Sequence, residues 1–503
     1  MFSKINACAT LGLDCSLVEV EADVTAGTFC LKIVGLPDTA IQESRERVTL
    51  AILNSELVLP KKVVTVNLAP ADIKKEGPSY DVAIALSLLA TSNQIKNKLS
   101  DALFIGELAL NGAVRPVAGA LSAAIFAREH GIKKIYIPFQ NVAEASLISD
   151  LSIYPIANLR QLVDHLNEKE QIASAKMLDI NILRKEKSGT DMTYIKGQEQ
   201  AKRALEIAAA GGHNIIMTGP PGSGKTLLAR ALPTILPDLA FEEIIETTKI
   251  YSTAGLLSDQ TPIIIERPFR SPHHTSSGIA LVGGGRIPKP GEITLAHNGV
   301  LFMDEFPEFP RASLENLRQP LEDGVVSISR AHGTITFPAR FMLVAAKNPC
   351  PCGYRGDPTH ECICSQTQVL NYTKKISGPL LDRIDLNIET QKVNFDKLQS
   401  EKQEESSLNI KQRVESARII QRERFKNMPL RSNAAMGAKE IKEFCRVDAQ
   451  SAELLRSAER QLGLSARAFH RILKVSRTIA DLEGAPNILS QHIAEALQYR
   501  AKN

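Results

Sequence analysis

Apolar and polar positions follow two different periodicities over the first 168 residues of the chain, one typical of strands and one typical of helices. Residues 28–34, 62–68 and 134–137 are short apolar runs rich in β-branched or aromatic side chains, a pattern typical of strands. Residues 81–90 and 118–129 carry the longer apolar periodicity of helices. Residues 1–168 are therefore predicted to form one mixed α/β domain.

A polar stretch separates this region from a second α/β pattern. Residues 169–193 are rich in charged and small side chains, which is typical of a linker. The second α/β pattern covers residues 194–395, and residues 396–503 begin polar and continue as helices without convincing strands. The predicted fold class is an α/β multidomain protein: an α/β domain, a parallel-sheet core and an α-helical lid.

A Gly-rich segment in the second region has the spacing of a phosphate-binding loop. Residues 219–226 read GPPGSGKT, after the apolar run 214–217 and before the helical run 227–232. Backbone N–H groups of such a loop surround phosphate oxygens at a helix N-terminus. Lys225 is predicted to reach the β- and γ-phosphates of ATP, and Thr226 to ligate Mg²⁺. The predicted ATP-binding residues of the loop are Gly219, Pro220, Pro221, Gly222, Ser223, Gly224, Lys225 and Thr226.

Two further apolar runs end in polar residues suited to ATP hydrolysis. Residues 299–303 lead into Asp304, predicted to hold Mg²⁺, and Glu305, predicted to polarise the attacking water. Asn348 follows the run 341–346 and is predicted to orient that water. The alternative is that Asn348 only forms the turn before the next proline.

Several longer motifs closely resemble the ComM/YifB family of AAA+ ATPases, which are related to magnesium-chelatase subunit I. They are GPPGSGKT, RPFRSPHHTSS, GGGRIPKPGEITLAHNGVLFMDEFPEF, LRQPLEDG, NPCPCG and SGPLLDRIDL. The resemblance extends from near Met1 to about Leu482. It implies a homo-hexameric ring with ATP held between neighbouring subunits. It also implies a DNA helicase that drives branch migration during natural transformation.

The resemblance assigns roles to three arginines. Arg383 is similar to an arginine finger that contacts the γ-phosphate of the adjacent subunit. The alternative is a surface pair with Asp382 or Asp385. Arg467 is similar to the sensor 2 arginine of the lid, and Arg471, four residues on, is the next candidate for that role.

Two inserts distinguish this core from a minimal ATPase. Residues 267–285 are rich in Gly, His and Arg, and residues 325–338 have the pattern of a hairpin around Ala-His-Gly. In related helicases such inserts form loops that face the ring pore; the alternative is an intersubunit or structural loop. The predicted DNA contacts are Arg270, His273, His274, Arg330 and His332.

Four of the eight cysteines form a C-x-C-x9-C-x-C pattern. They are Cys350, Cys352, Cys362 and Cys364. Four thiolates suffice for a tetrahedral structural Zn²⁺. The pattern predicts a zinc site, with free thiols in a loop as the alternative.

The first domain resembles the proteolytic domain of Lon proteases, on the residues Glu76-Gly-Pro-Ser79 and the segment 106–116. A serine peptidase of this type needs a lysine as base. Alignment places Ala123 where that lysine should stand. We therefore expect a Lon-like fold without peptidase activity, with a role in ring assembly or DNA binding.

Charge is unevenly distributed along the chain, although the net charge is only +4. Residues 1–168 hold 15 Lys and Arg against 18 Asp and Glu, whereas residues 401–503 hold 19 against 13. The basic lid is suited to a phosphate backbone; the alternative is an ordinary solvated helical surface.

No run of about 18 apolar residues is present, so no membrane-spanning helix is expected. The few cysteines favour a cytoplasmic protein. The combined prediction is an ATP-hydrolysing DNA motor that binds single-stranded or branched DNA and no membrane. A magnesium-chelatase-like motor, an ATP-dependent Lon-like protease and an ATP-switched scaffold are the alternatives.

Overall fold

The computed structural model describes residues 2–95, 99–178, 190–285, 288–330, 333–393 and 404–500. The strands are β1 Ser3–Leu11, β2 Asp14–Thr25, β3 Cys30–Val34, β4 Val63–Ala69, β5 Ala102–Phe104, β6 Glu107–Leu108, β7 Val114–Arg115, β8 Lys134–Pro138, β9 Ser152–Ile156, β10 Ile215–Thr218, β11 Phe269–Arg270, β12 Gly283–Gly284, β13 Lys289–Pro290, β14 Val300–Met303, β15 Val325–Arg330, β16 Gly333–Pro338, β17 Met342–Lys347 and β18 Leu386–Glu389. The α-helices are Thr39–Asn54, Asp81–Thr91, Ala120–Glu129, Val142–Ala145, Leu159–Leu166, Glu199–Gly211, Lys225–Ile235, Phe241–Ala254, Gly278–Val282, Glu292–Leu295, Arg311–Glu315, Arg318–Asp323, Gln366–Thr373, Gly378–Leu381, Ser407–Arg424, Ala438–Phe444, Ala449–Leu462, Ala466–Leu482 and Ser490–Gln498.

These elements belong to two compact units. The first comprises Met1–Arg184 together with Ala240–Ile265, and the second comprises Lys185–Leu239 together with Glu266–Asn503. The α/β multidomain class is confirmed, since each unit is built on its own sheet. The predicted domain boundaries near residues 168 and 395 stay a prediction.

The first unit is built on a mixed sheet in the order β3-β4-β2-β1-β5-β8-β9. The predicted runs at 28–34, 62–68 and 134–137 are strands β3, β4 and β8. The antiparallel hairpin β1–β2, which pairs Ser3 with Ala22 and Leu11 with Asp14, has no counterpart among the predicted elements. This hairpin contributes two of the central strands, and helix Asp81–Thr91 packs against it.

Helix Phe241–Ala254 belongs to the first unit, although it follows the phosphate loop in the chain. It packs against helix Ala120–Glu129, and the N–H of Gly119 donates to the carbonyl of Ser252 at 3.2 Å. The Lys249 ammonium lies 2.8 Å from the Asp14 carboxylate. The sequence pattern, in contrast, predicts this helix as part of the ATPase core, residues 194–395.

The second unit is built on a parallel sheet in the order β11-β14-β17-β10-β18. One face is covered by helices Glu199–Gly211 and Lys225–Ile235 through buried apolar side chains. Because the strands are parallel, the carboxyl ends of β10, β14 and β17 meet at one edge, where open α/β sheets bind ligands. The hairpin predicted over residues 325–338 is confirmed as β15 and β16, which pair Val325 with Pro338.

The C-terminal region, residues 404–500, is built from helices joined by turns and contains no named strand, as predicted. Helix Ser407–Arg424 packs against helices Glu199–Gly211, Lys225–Ile235 and Ala466–Leu482, so the lid and the sheet core share one apolar cluster. Among the helices that the structure describes, none combines the length and apolar character needed to cross a membrane.

Candidate nucleotide-binding site

The phosphate loop connects the carboxyl end of β10 to helix Lys225–Ile235, so the predicted strand–loop–helix context is confirmed. Gly222 and Gly224 have φ angles of 75° and 84°, a region that side-chain-bearing residues rarely adopt. A Cβ at Gly219 would lie 2.2 Å from Oγ1 of Thr390. Glycine is therefore required by backbone conformation at two positions and by space at a third.

Lys225 is buried with its ammonium inside the loop. Its Nζ donates to the carbonyls of Gly219 and Pro220 at 2.7 and 2.9 Å and lies 3.4 Å from Oδ1 of Asn348. Burial lowers the pKa of Lys225, and the Asp304 carboxylate opposes that shift. The cation thus lies beside the N–H groups that a phosphate would need.

Thr226 and Asp304 supply neighbouring oxygen ligands at the same edge. The Thr226 hydroxyl donates to Oδ2 of Asp304 at 2.8 Å, although 78 positions separate the two residues. A hydroxyl and a carboxylate at this spacing fit Mg²⁺, which prefers hard oxygen donors. These two residues would hold the ion of a bound Mg-ATP.

Glu305 has an unusual backbone conformation. Its φ and ψ are 50° and 44°, the left-handed region that costs energy for a residue with a side chain. Its N–H donates to Oδ1 of Asp304 at 2.9 Å. Its Oε2 lies 2.9 Å from Nδ1 of His274, so a predicted catalytic base meets a predicted DNA contact.

The loop after Asn348 contacts the phosphate loop from the other side. A Cβ built on Gly353 would lie 2.7 Å from Cδ of Pro221 and 3.8 Å from Cγ of Asn348. Gly353 has a φ of 86°, so both space and conformation favour glycine there. Asn348 is therefore held between Lys225 and a tightly packed glycine loop.

The four clustered cysteines converge in this loop. Their sulfur atoms all lie within 4.8 Å of one another. The sulfurs of Cys350 and Cys352 are 3.4 Å apart, and that of Cys362 lies 3.7 and 3.6 Å from them. A Zn–S bond of about 2.3 Å in a tetrahedron places sulfurs about 3.8 Å apart, so the cluster fits Zn²⁺.

The four thiols of this cluster differ in pKa: at Cys362 and Cys364 the effect of backbone hydrogen bonds is outweighed by desolvation and the neighbouring thiols, which raise the pKa, whereas the pKa of Cys352 is lowered. The N–H of Cys352 donates to Sγ of Cys364 at 3.4 Å. A backbone hydrogen bond from Tyr354 lowers the pKa of Cys352 to about 6. None of the eight cysteines, all of which lie within the described residues, forms a disulfide.

The predicted DNA contacts in the first insert have partners within the chain. The Arg270 guanidinium makes two hydrogen bonds to the Glu292 carboxylate, at 2.6 and 2.7 Å. The His273 ring lies 4.2 Å from the His274 ring, and His274 contacts Glu305. The side chain of Arg330 and all of His332 lie outside the described residues.

Arg383 lies in the turn before β18. Its NH1 donates to the carbonyl of Pro379 at 2.7 Å, and its NH2 contacts the carboxylate of Glu322. Asp385 instead contacts His213 at 3.0 Å. The surface pair considered for Arg383 therefore has a different partner.

Arg467 and Arg471 lie on the same side of the lid helix, next to this turn. Arg467 is 67% exposed and lies 3.9 Å from the Asp382 carboxylate. Arg471 is 20% exposed and lies 3.6 Å from the same carboxylate. The three predicted arginines are thus brought together around Asp382.

The phosphate loop and the Arg383 turn lie at opposite ends of the strands of the sheet. We call the carboxyl ends of the strands the carboxyl edge and their amino ends the amino edge. Strand β10 pairs with β18 in parallel, Ile215 with Leu386 and Thr218 with Glu389. The phosphate loop follows Thr218, whereas the Arg383 turn precedes Leu386. A four-residue strand spans about 13 Å, so the turn cannot complete the phosphate site of its own chain.

Three protein-family models of magnesium-chelatase regions together match most of the chain. "Magnesium chelatase, subunit ChlI" matches residues 191–398, "Subunit ChlI of Mg-chelatase" matches 20–141, and "Magnesium chelatase, subunit ChlI C-terminal" matches 404–500. The competence protein ComM of Haemophilus influenzae is 45% identical over 500 residues, 98% of this chain and 96% of that protein. The chain belongs to the ComM/YifB family.

One further relative matches the whole chain, and another, a Lon protease, matches only part of it. The uncharacterized protein YifB of Escherichia coli is 44% identical over 502 residues, 99% of this chain and 97% of that protein. Lon protease 1 of Hydrogenovibrio crunogenus is 31% identical over 153 residues, 28% of this chain and 18% of that protein. This ComM/YifB protein is therefore an AAA+ ATPase of the magnesium-chelatase type with a distant similarity to Lon proteases.

Two residues that support the phosphate loop, Gln198 and Thr390, are not among the predicted site residues. The Gln198 side chain donates to the carbonyls of Ser223 at 3.0 Å and Gln391 at 2.6 Å. The Thr390 hydroxyl lies 2.9 Å from the Ser223 hydroxyl. The available signal was the Gly-Gln pair just before helix Glu199–Gly211, whereas Thr390 carries no local signal.

The Lon-like residues lie together in the first unit without a lysine at the aligned position. Ala123 is buried in helix Ala120–Glu129. Ser79 lies in the short helical turn Pro78–Tyr80, and its carbonyl accepts from the N–H of Gly106 at 2.9 Å. Lys75 is buried, and its ammonium donates to the carbonyl of Pro70. The absence of peptidase activity stays a prediction.

Proposed function

We propose that this ComM/YifB protein is an ATP-driven DNA motor that assembles as a homo-hexameric ring and acts as a helicase. Its role would be branch migration during DNA recombination and natural transformation. The observation that carries the proposal is the division of the ATPase residues between opposite edges of one sheet. Only a second copy can bring an Arg383 turn to a phosphate loop.

The hydrolysis step uses residues of two subunits. Glu305 accepts the proton of the attacking water, and Asn348 orients that water. Lys225 contacts the β- and γ-phosphates, and Arg383 of the neighbouring subunit stabilises the charge that develops on the γ-phosphate. Mg²⁺, held by Thr226 and Asp304, would neutralise phosphate charge. Arg467 would act at the same interface, since it lies beside Arg383.

We propose DNA as the polymer along which the motor moves, for three reasons. The lid is basic, the two inserts carry Arg and His, and the relative from Haemophilus influenzae is a competence protein. Arg270 and His274 have partners within the chain, so DNA would have to displace those partners before it could bind the two side chains.

ATPase assays with and without single-stranded and branched DNA test this function, with strand displacement measured in parallel. Stimulation of hydrolysis together with displacement is expected. Arg330→Ala should reduce the stimulation by DNA more than hydrolysis without DNA. If no DNA raises the rate, the proposal is wrong and a magnesium-chelatase-like motor, which the matched family models favour, takes its place.

We also propose that the four-cysteine cluster holds one structural Zn²⁺. The support is the set of sulfur distances, which fits a tetrahedral site. Metal analysis of purified protein should give one zinc per chain, and Cys352→Ser together with Cys362→Ser should remove it. Well under one zinc per chain in the unaltered protein would contradict this.

A further inference from the structure

The turn that carries Arg383 is held by one lid side chain. NH1 of Arg471 donates to the carbonyls of Leu381 and Ile384, both at 3.0 Å. Its NH2 lies 3.6 Å from Oδ1 of Asp382. The residues on both sides of Arg383 are therefore bound to a single guanidinium.

The chemistry of this contact suits an arginine. Leu381 is the last residue of helix Gly378–Leu381, and its carbonyl, which accepts from the N–H of Ile384 at 3.1 Å, has a second lone pair that can accept from the guanidinium. The planar guanidinium has several N–H donors in fixed directions, so it can bind two carbonyls and a carboxylate together.

A second connection joins the same lid helix to the other end of the turn. Nε2 of His213 lies 2.8 Å from the Thr478 hydroxyl, and its Nδ1 lies 3.0 Å from Oδ2 of Asp385. His213 is fully buried. Thr478 follows Arg471 by two helical turns and so lies on the same side of helix Ala466–Leu482. The lid helix thus holds the turn before and after Arg383.

Arg467 differs from Arg471 in its availability. Arg467 is 67% exposed, with one long contact to Asp382 at 3.9 Å, whereas Arg471 is 20% exposed and engaged by two carbonyls. A guanidinium that already binds two backbone carbonyls of the same chain is poorly placed to bind a phosphate. The two sensor 2 candidates therefore separate into an available arginine and an engaged one.

We propose that Arg471 is a positioning residue for ATP hydrolysis in the neighbouring subunit, because it fixes the Arg383 turn to the lid helix. The inference rests on the proposed function of Arg383 at a subunit interface. Arg471 itself touches no nucleotide. Loss of Arg471 should therefore disable the Arg383 side of an interface and leave the phosphate site of the same chain intact.

Mixed rings test this directly. Lys225→Ala removes the phosphate site of a chain but leaves its Arg383, and Arg383→Ala does the reverse. Rings mixed from these two variants should hydrolyse ATP faster than either variant alone. Arg471→Ala alone should be about 100-fold slower than the unaltered protein, the cost of a misplaced group.

The pairing of variants decides the role of Arg471. Rings of Arg471→Ala mixed with Lys225→Ala should regain activity, and rings of Arg471→Ala mixed with Arg383→Ala should not. The opposite pattern would place Arg471 at its own nucleotide, and recovery with both or with neither would equally overturn the inference. Failure of the Lys225→Ala and Arg383→Ala mixture would instead overturn the interface assignment on which it rests.

Two further variants guard against a merely structural effect. Arg471→Lys keeps the positive charge but loses the planar guanidinium with its several N–H donors. The ATPase rate should therefore fall about 10-fold, with the same pattern of recovery in the mixed rings. This variant takes the place of Arg471→Ala in the mixtures if the alanine variant does not assemble. Arg456→Ala removes a lid arginine that is 64% exposed and paired with Glu453, and it should behave as the unaltered protein in every mixture.

Discussion

The two edges of the ATPase sheet are organised in different ways. At the carboxyl edge the side chains proposed to act in ATP hydrolysis contact one another within the chain, as the 2.8 Å bond between Thr226 and Asp304 shows. At the amino edge Arg383 is bound to Glu322, whose carboxylate oxygens accept charge-assisted hydrogen bonds from a guanidinium, as phosphate oxygens also do. The first edge is therefore preorganised, whereas in the proposed mechanism Arg383 at the second edge would have to leave Glu322 before it binds a phosphate.

The comparison predicts the largest effect at the edge that must find a partner. Arg383→Ala should lower the ATPase rate by about 10³-fold while nucleotide affinity stays within a few fold, because the charge on the γ-phosphate is no longer stabilised. Steady-state hydrolysis and nucleotide binding measure both quantities. Arg318→Ala, which removes an exposed arginine paired with Glu315, is the control and should change neither. Loss of nucleotide binding in Arg383→Ala would break the distinction between the two edges.

The preorganised edge should respond next most strongly. Glu305→Gln removes the base and should lower the ATPase rate by about 10²-fold or more, while ATP remains bound. Single-turnover hydrolysis with bound ATP is the measurement. Glu308→Gln, at a carboxylate paired with Lys375 on the surface, should leave the rate unchanged. A rate close to normal in Glu305→Gln would mean that another group takes the proton.

Two glycines of the cysteine loop, Gly353 and Gly356, allow its contribution to this preorganisation to be measured. Each is replaced by alanine, and the ATPase rates of the two variants are compared. Gly353→Ala places a Cβ against Pro221 and should lower the ATPase rate about 10-fold, the effect of a small displacement of catalytic groups. Gly356 has a similar φ of 79°, but its Cβ would meet nothing within 4 Å. Both variants should lose about 1–2 kcal/mol of stability from backbone strain, and only Gly353→Ala should lose activity. Equal rates in the two variants would contradict a role for this contact.

The smallest expected effect concerns His274 and increases a rate. His274→Ala removes the hydrogen-bond partner of the Glu305 carboxylate and should raise hydrolysis without DNA about fivefold, the equivalent of a hydrogen bond worth about 1 kcal/mol. Stimulation by DNA should fall correspondingly. His273→Ala, in the adjacent ring that contacts Thr275 instead, provides the comparison. A drop in DNA-free hydrolysis would show that His274 supports the base rather than restraining it.

Local patterns in the sequence were sufficient for much of the carboxyl edge. A loop such as residues 219–226 is predictable because its glycines, lysine and threonine act within one short segment. Contacts across long stretches had no such signal: Glu322 and Arg383 are 61 positions apart, and Ser223 and Thr390 are 167 apart. The resemblance supplied Arg383 and Arg467, but only the tertiary structure separates Arg467 from Arg471.

Helix Phe241–Ala254 has a practical consequence for dissecting the molecule. A fragment that ends at residue 184 would lack a helix of its own compact unit and would expose the surface of helix Ala120–Glu129 to solvent. A fragment that begins at residue 185 would carry the same helix without the surface it covers. The two halves of this chain are therefore interlaced in sequence, and neither can be excised by a single cut without breaking a buried interface.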